Sequence, residues 1–268
     1  MNILVCVKQV PDTTEIKIDP VTNTLIRSGV PSIVNPFDGY ALEAAARIRD
    51  NHPDTKIIVL SMGPEQAKTA LKECLAIAAD KAYLVSGRSF GGSDTLATSY
   101  ILSCAIQKLE EKEGKFDAVF CGKQAIDGDT AQVGPEIAEH LGLPQITYAL
   151  ETKLTENGLE VIKEGEDENQ RLSISLPCLI TFTKPAFDPR YPTLKRKLAA
   201  NRAEIPVLSE EDFPEIDKSR IGLKGSPTRV KSTFVPPKKQ GGVKIQEESD
   251  KASAQRLFSL LSEAHIIE

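Results

Sequence analysis

Two stretches carry residues whose types and spacing suit the handling of phosphate. The first is Gly91-Gly92-Ser93-Asp94-Thr95-Leu96-Ala97-Thr98-Ser99. Its paired glycines allow close backbone approach, and the hydroxyls of Thr95 and of Thr98 or Ser99 at a helix start offer donors to a pyrophosphate. Ser93 or Asp94 can equally serve as a plain helix cap. The second stretch is Gly122-Lys123-Gln124-Ala125-Ile126-Asp127-Gly128-Asp129-Thr130-Ala131-Gln132-Val133. Gln124 after Gly-Lys breaks the GxxxxGK[ST] pattern, which disfavours Walker-type phosphoryl transfer. Asp127 and Asp129 would repel phosphate if aimed at it, but a carboxylate can accept ribose hydroxyls, or Asp129 can cap the helix that follows. Catalytic groups are scarce. His52, His140 and His265 stand away from any Ser or Cys in a strand-turn-helix context and read as surface residues. No His, Cys and Asp spacing suggests a metal site. Such a pattern suits a protein whose chemistry belongs to a bound cofactor.

These stretches have to be held by repeated strand-helix units. Residues 2–7, 56–61, 82–86 and 116–121 read as strands, and 35–50, 64–79, about 93–112 and 130–141 as helices. Four βα units predict a doubly wound, mainly parallel α/β sheet, in which ligands bind outside the carboxyl ends of the strands. That rule selects the loop from Cys6 and Lys8 to Asp12, the Met62-Gly63-Pro64 turn and the two stretches above. After Pro144 the rhythm changes to antiparallel strands at 146–154, 158–163, 170–176 and 178–183, with an Asn-Gly hairpin turn at Asn157-Gly158. Residues 1–200 are expected to form the nucleotide-binding domain, and 201–268 an arm lying on that domain or on a partner subunit, with helical spacing only in 252–267.

Composition narrows the class. With 268 residues, 40% hydrophobic and 26% charged, the chain is an ordinary globular protein without a membrane span or signal segment, expected in the cytoplasm. A net charge of -5 and the lack of tryptophan argue against nucleic-acid binding. Five cysteines without a CxxC pair argue against a disulfide framework, and Cys6, Cys121 and Cys178 read as small core residues.

Several segments together resemble the beta subunit of electron transfer flavoproteins. They are V-x-V-K-Q-V-P-D from Val5, V-N-P-F-D from Val34, S-M-G-P from Ser61, G-K-Q-A-I-D-G-D-T-A-Q from Gly122 and D-P-R-Y from Asp188. The acidic turn at 163–172 followed by Pro177-Cys178-Leu179-Ile180-Thr181 also matches the family signature. The resemblance runs to about Pro206, and covers almost the whole length for the bacterial, anaerobic branch. It implies a heterodimer with an alpha subunit and an adenine-nucleotide site that adds Asn35, Pro36, Phe37 and Asp38, which pattern alone shows only as a helix start. Cys6 would lie beside the adenine.

The Gly92, Asp94, Thr95, Thr98 and Ser99 loop is similar to members that hold FAD here and bifurcate electrons. There, NADH gives hydride to the flavin, which splits electrons between ferredoxin or flavodoxin and a flavin dehydrogenase of acyl-CoA or lactate type. The alternative is a non-bifurcating carrier with structural AMP; a stand-alone adenine-nucleotide module is a further alternative. The arm around Gly222-Leu223-Lys224-Gly225-Ser226-Pro227-Thr228 looks like that branch, where it wraps the alpha subunit. Residues 187–198 match the family's loop for docking a dehydrogenase, with Leu194 as anchor and Lys195, Arg196 and Lys197 as a basic cluster; a solvated basic loop is the plain alternative. The resemblance asks no catalytic residue of the chain.

Overall fold

The computed structural model describes residues 1–12, 31–231 and 241–267. In chain order the elements are β1 (Asn2–Cys6), β2 (Gln9–Pro11), β3 (Ser32–Val34), α1 (Pro36–Asn51), β4 (Lys56–Met62), α2 (Lys68–Ile77) and β5 (Lys81–Val85). They continue with α3 (Thr95–Glu113), β6 (Ala118–Gly122), α4 (Val133–Leu141), β7 (Gln145–Thr155), β8 (Gly158–Lys163), β9 (Gln170–Ile174), β10 (Cys178–Phe182), α5 (Leu194–Arg202), β11 (Val207–Leu208) and α6 (Asp250–Glu263). No described helix is long and apolar enough to cross a membrane.

Local chemistry sets the helix ends. Pro36 opens α1, with Asp38 in its first turn and Arg49 in its last, as the macrodipole favours. The Asp94 carboxylate caps α3 by accepting the Ala97 N–H at 3.0 Å. Gly142 ends α4 with φ 64°, a left-handed position that glycine adopts without a Cβ penalty. The expected helix at 64–79 begins instead as a short 3₁₀ turn, Glu65–Ala67, before α2.

Nine strands form one sheet in the order β11-β5-β4-β1-β6-β10-β7-β8-β9. Pairs from β11 to β7 are parallel; β8 and β9 extend the sheet as an antiparallel meander. A small antiparallel pair, β2 with β3, stands apart. The expectation of antiparallel strands through residue 183 needs correction at β10, which lies parallel between β6 and β7. All five β10 residues are buried, and a continuous apolar run is the signature of a strand covered on both faces.

Alternation along β1 builds two cores. Ile3 and Val5 pack with α1 and α2 residues such as Leu42, Ala45 and Leu71. Leu4 and Cys6 pack on the other face with Ile101, Ile106 and Ile137 from α3 and α4. The boundary expected at residue 200 falls inside the sheet's unit, which includes the described residues through 231. β11 adds the edge strand beside β5, and Phe213, Ile216 and Ile221 are buried in the α3-side core. Their spacing follows neither a helix nor a strand, so periodicity does not reveal them. The second unit includes described residues 241–267; in it Ser249 caps α6, and no α6 residue is buried. Residues 232–240 of the expected arm lie outside the described residues.

Phe120 and Phe182, on neighbouring strands β6 and β10, pack at a tilt of 60° with centroids 4.8 Å apart and are almost fully buried. Phe182→Ala is expected to lower unfolding free energy by about 3–5 kcal/mol in urea titration, the range for a large core truncation.

Candidate functional site

The chain builds β1, β4 and β5 outward in one direction, then places β6 on the other side of β1. The loops after β1 and β6 therefore part at a topological switch point, where open α/β sheets bind ligands. Cys6, the last residue of β1, lies in register with Cys121, the last but one of β6; both are buried on the α3–α4 face, and half-buried Met62 packs into the same core.

Asn35 and Asp38 brace this point from the other side. Lys8 N donates to Asp38 Oδ2 at 2.7 Å and Gly122 N to Asp38 Oδ1 at 3.1 Å, so one carboxylate ties the ends of both strands to the first turn of α1. A Cβ on Gly122 would collide with this carboxylate, so the close approach requires glycine. Asn35 Nδ2 donates to Gln124 O at 2.8 Å, and Ile126 N donates to Asn35 Oδ1 at 3.2 Å. Asn35 and Asp38 are both buried, so they position the loops instead of facing a ligand. Burial pushes the Asp38 carboxyl up to about 7, against the opposing pull of its Asn35, Lys8 and Gly122 hydrogen bonds. Pro36 sets the helix start, and Phe37 packs edge-on against Tyr40.

The loop after β6 is shaped by its own contacts. Lys123 N donates to Phe182 O, while its ammonium lies 5.1 Å from the Tyr148 ring centroid and 6.0 Å from that of Phe37. Lys8 Nζ pairs with Asp127 at 2.6 Å. Gly128 N and Asp129 N both donate to Ala125 O, and Gln124 Nε2 donates to Asp129 Oδ1. Asp129 therefore does not cap the helix; α4 begins three residues later than expected, at Val133, with no side-chain cap. Asp129 and Ala131 have φ of 52° and 53°, and Gln132 returns to right-handed geometry. Such alternation can turn successive N–H groups to one side, as in the backbone concavities that bind anions. Holding a non-glycine residue there costs on the order of 1 kcal/mol, strain of the kind found at ligand sites. Thr130 and Ile126 are exposed beside it.

The second helix start reaches the same place. Thr95 Oγ1 lies 3.4 Å from Gln132 Oε1 and 3.3 Å from Glu136 Oε1, bringing the first turns of α3 and α4 together. Two residues expected to face a ligand do not. The Ser99 hydroxyl is fully buried and donates to Leu96 O, because it lies on the core face of α3. Asp94 accepts from Ala97 N and from both Thr228 N and Thr228 Oγ1, three donors of its own chain. Thr98 is half-buried on α3, and Gly92 has φ 75°. Ser226 and Thr228, in the segment that the resemblance gives to the arm, meet Asp94 at the start of α3. Apart from that resemblance, their signal is the Gly-Ser-Pro-Thr cluster of turn residues, which carries no periodicity. His140 is half-buried instead of lying on the surface: its ring packs edge-on against Tyr100, and burial lowers its pKa.

A separate surface surrounds the start of α5. Leu194 is 75% exposed and Tyr191 91%, with Lys195 and Lys197 exposed beside them. Arg196 turns inward instead, donating to Leu75 O and Ala79 O at the end of α2. Arg190 grips Glu43 at 2.8 Å and Asp50 at 2.6 Å on α1, and Arg47 lies 3.6 Å from the Phe187 ring centroid. The segment before α5 is thus fixed to the same helix whose first turn braces the switch point.

The family model described as the electron transfer flavoprotein domain matches residues 22–213. The chain is 53% identical to an electron transfer flavoprotein subunit beta of Megasphaera elsdenii, over 95% of this chain and 94% of that protein. It is 48% identical to the caffeyl-CoA reductase-Etf complex subunit CarD of Acetobacterium woodii, covering all of both chains. It is 45% identical to protein FixA of Azorhizobium caulinodans, over 97% of this chain and 93% of that one.

Because Asp38 binds its proton more tightly folded than unfolded, its contribution to stability is complete below about pH 3.8 and is lost as pH rises through about 7. Wild-type stability should therefore fall relative to Asp38→Asn between about pH 4 and 7 in denaturant titrations. Parallel curves would contradict the assignment.

Proposed function

The chain belongs to the electron transfer flavoprotein family as a beta subunit, and on that premise we propose that it holds FAD at the switch point, paired with an alpha subunit, in an electron-bifurcating complex. NAD(H), ferredoxin or flavodoxin, and a flavin dehydrogenase are the proposed exchange partners. What supports the reading is the convergence of two helix starts on one edge of the sheet, with Thr95 within 3.4 Å of Gln132. The concavity at residues 129–133 suits one phosphate group, and the adjoining α3 start extends the same edge toward a longer, dinucleotide-sized ligand. The CarD name belongs to a reductase-Etf complex and favours the same class of assembly for this chain.

A bound flavin supplies the chemistry, exchanging hydride with nicotinamide and passing single electrons onward. The chain's part is to bind and orient. Asn35 and Asp38 fix the two loops against each other, so the backbone N–H groups near Ala131 and Val133 are set before a ligand arrives. Cys6, Met62 and Cys121 supply an apolar floor. Lys8, held by Asp127, and Lys123, over two rings, supply positive charge at the rim. No acid or base is required of these residues. The Leu194 surface is the proposed dehydrogenase dock: an exposed apolar anchor with Lys195 beside it and a backbone fixed by Arg190 and Arg196.

Co-purification with the alpha subunit, denaturation and chromatographic counting of nucleotides tests the cofactor reading. Two FAD per heterodimer and no AMP is the expected result; one FAD with one AMP would replace it with a simple electron carrier. Leu194→Ala should weaken transfer to the dehydrogenase about tenfold, the effect of losing one buried leucine contact, while leaving NADH-driven flavin reduction unchanged. Equal loss of both rates would remove the dock from Leu194.

A further inference from the structure

Tyr148 on β7 stands at φ 61°, a left-handed backbone position that is a genuine outlier for a bulky residue. The pairing of β7 with β10 runs from Ile146 opposite Ile180 to Ala149 opposite Phe182, so Thr147 and Tyr148 together face Thr181 alone. That is a β-bulge in a parallel pair, where bulges are rare, and bulges beside sites serve to re-aim a side chain. The bulge takes Tyr148 out of the regular ladder, yet its backbone groups keep partners. Tyr148 N donates to Thr181 Oγ1 at 3.1 Å, and Glu164 N donates to Tyr148 O at 2.8 Å. Thr181 is 1% exposed, and its hydroxyl takes the place of the ladder bond that the bulge removes.

Both ends of the loop between β6 and α4 rest on this bulge. At the near end, Lys123 N donates to Phe182 O at 2.7 Å, and the Lys123 ammonium lies 5.1 Å from the Tyr148 ring centroid and 6.0 Å from that of Phe37. Two rings thus hold one cation. At the far end, Gly134 is the second residue of α4, and a Cβ there would stand 2.7 Å from Thr181 Cγ2. The helix start therefore lies directly against the residue whose hydroxyl holds Tyr148. The brace from α1 holds Gly122, Gln124 and Ile126. The bulge supplies a complementary hold at Lys123 and Gly134, on either side of the left-handed turns at Asp129 and Ala131.

We propose that the Tyr148 bulge is a second brace for the β6–α4 loop, in which Tyr148 and Thr181 are positioning residues that fix its two ends and keep its N–H groups ready for a nucleotide. The inference rests on the reading of residues 122–133 as the nucleotide site. It accounts for a tyrosine where glycine or asparagine would take the same backbone with less strain: the ring holds Lys123, and the left-handed turn brings the ring there. Strain kept at one residue and over-determined by the surrounding sheet is the pattern of a preorganised site.

The test compares the complete complex with the alpha subunit as wild type, Tyr148→Phe, Tyr148→Asn and Thr181→Val. Phenylalanine keeps the ring, asparagine accepts the left-handed backbone without one, and valine keeps the shape of Thr181 without its hydroxyl. Adenine nucleotides per heterodimer, FAD or AMP, are counted after gel filtration, and amide hydrogen exchange is followed over the whole chain. Tyr148→Asn and Thr181→Val should lose one of two nucleotides and keep the other. Exchange confined to residues 123–134 should rise about tenfold, the effect of one lost hydrogen bond or cation–ring contact. Tyr148→Phe should match wild type in both. Unchanged nucleotide content and exchange in Tyr148→Asn and Thr181→Val overturn the proposal. Equal loss in Tyr148→Phe removes the role of the ring, and a rise spread evenly over the sheet marks lost stability and removes the positioning role. Tyr148 is half-buried and contributes nothing to the two cores, so Tyr148→Asn decides the matter even where Thr181→Val fails to fold. If the wild-type complex holds a single adenine nucleotide, the nucleotide reading fails and exchange alone decides: faster exchange of the loop in Tyr148→Asn upholds the brace, and equal exchange overturns it.

Discussion

The Asp38 carboxylate, buried at the point where β1 and β6 part, accepts one N–H from each strand's end and belongs to the first turn of α1. A buried carboxyl group is tolerated with such partners, since an unsatisfied buried N–H costs about 1–3 kcal/mol and an unpaired buried charge more. The sheet's edge, the β6 loop and the helix therefore have one mutual arrangement. Gly122 is part of the same constraint because any side chain there would occupy the carboxylate's place.

Rigidity spreads from this tie along α1. A 16-residue helix spans about 24 Å, and its first turn carries Asp38 while its later turns carry Glu43, Arg47 and Asp50. Those three residues hold Arg190 and Phe187 of the segment leading to α5. The switch point and the segment that leads to the exposed Leu194 surface are thus tied to one element. A common rigid support keeps the distance between the proposed nucleotide site and the proposed dock fixed, which matters to a protein that passes electrons to a partner.

The opposite face of the sheet is arranged differently. There the starts of α3 and α4 meet through Thr95, Gln132 and Glu136, and the segment at 219–228 closes over the α3 start through Asp94. Much of the polar chemistry in this corner serves the fold: Ser99, Ser93, Ser226 and Asp94 all satisfy backbone or side-chain partners of the same chain. What is left facing outward is backbone N–H groups, a few hydroxyls and cations. That set suits the proposed role of binding and orienting a phosphate-bearing ligand, which has no need of a nucleophile or base.

The sequence by itself determined the βα rhythm, most element positions and which loops lie at the carboxyl ends of the strands, because these follow from local periodicity, caps and turn residues. It also determined the family, since motifs such as G-K-Q-A-I-D-G-D-T-A-Q are local strings. Only the tertiary structure decided the direction of β10, since a strand's sequence records its burial and not its neighbour. Only the fold showed that Asp94 and Ser99 face their own chain, that Asp129 leaves α4 uncapped and that Arg196 is turned inward. It also brought Ser226 and Thr228 to Asp94 across more than 130 positions of chain. A polar side chain has the same local signature whether its partner is a ligand or a distant backbone group. Long-range hydrogen bonds select between the two, and these exist only once the layers have packed.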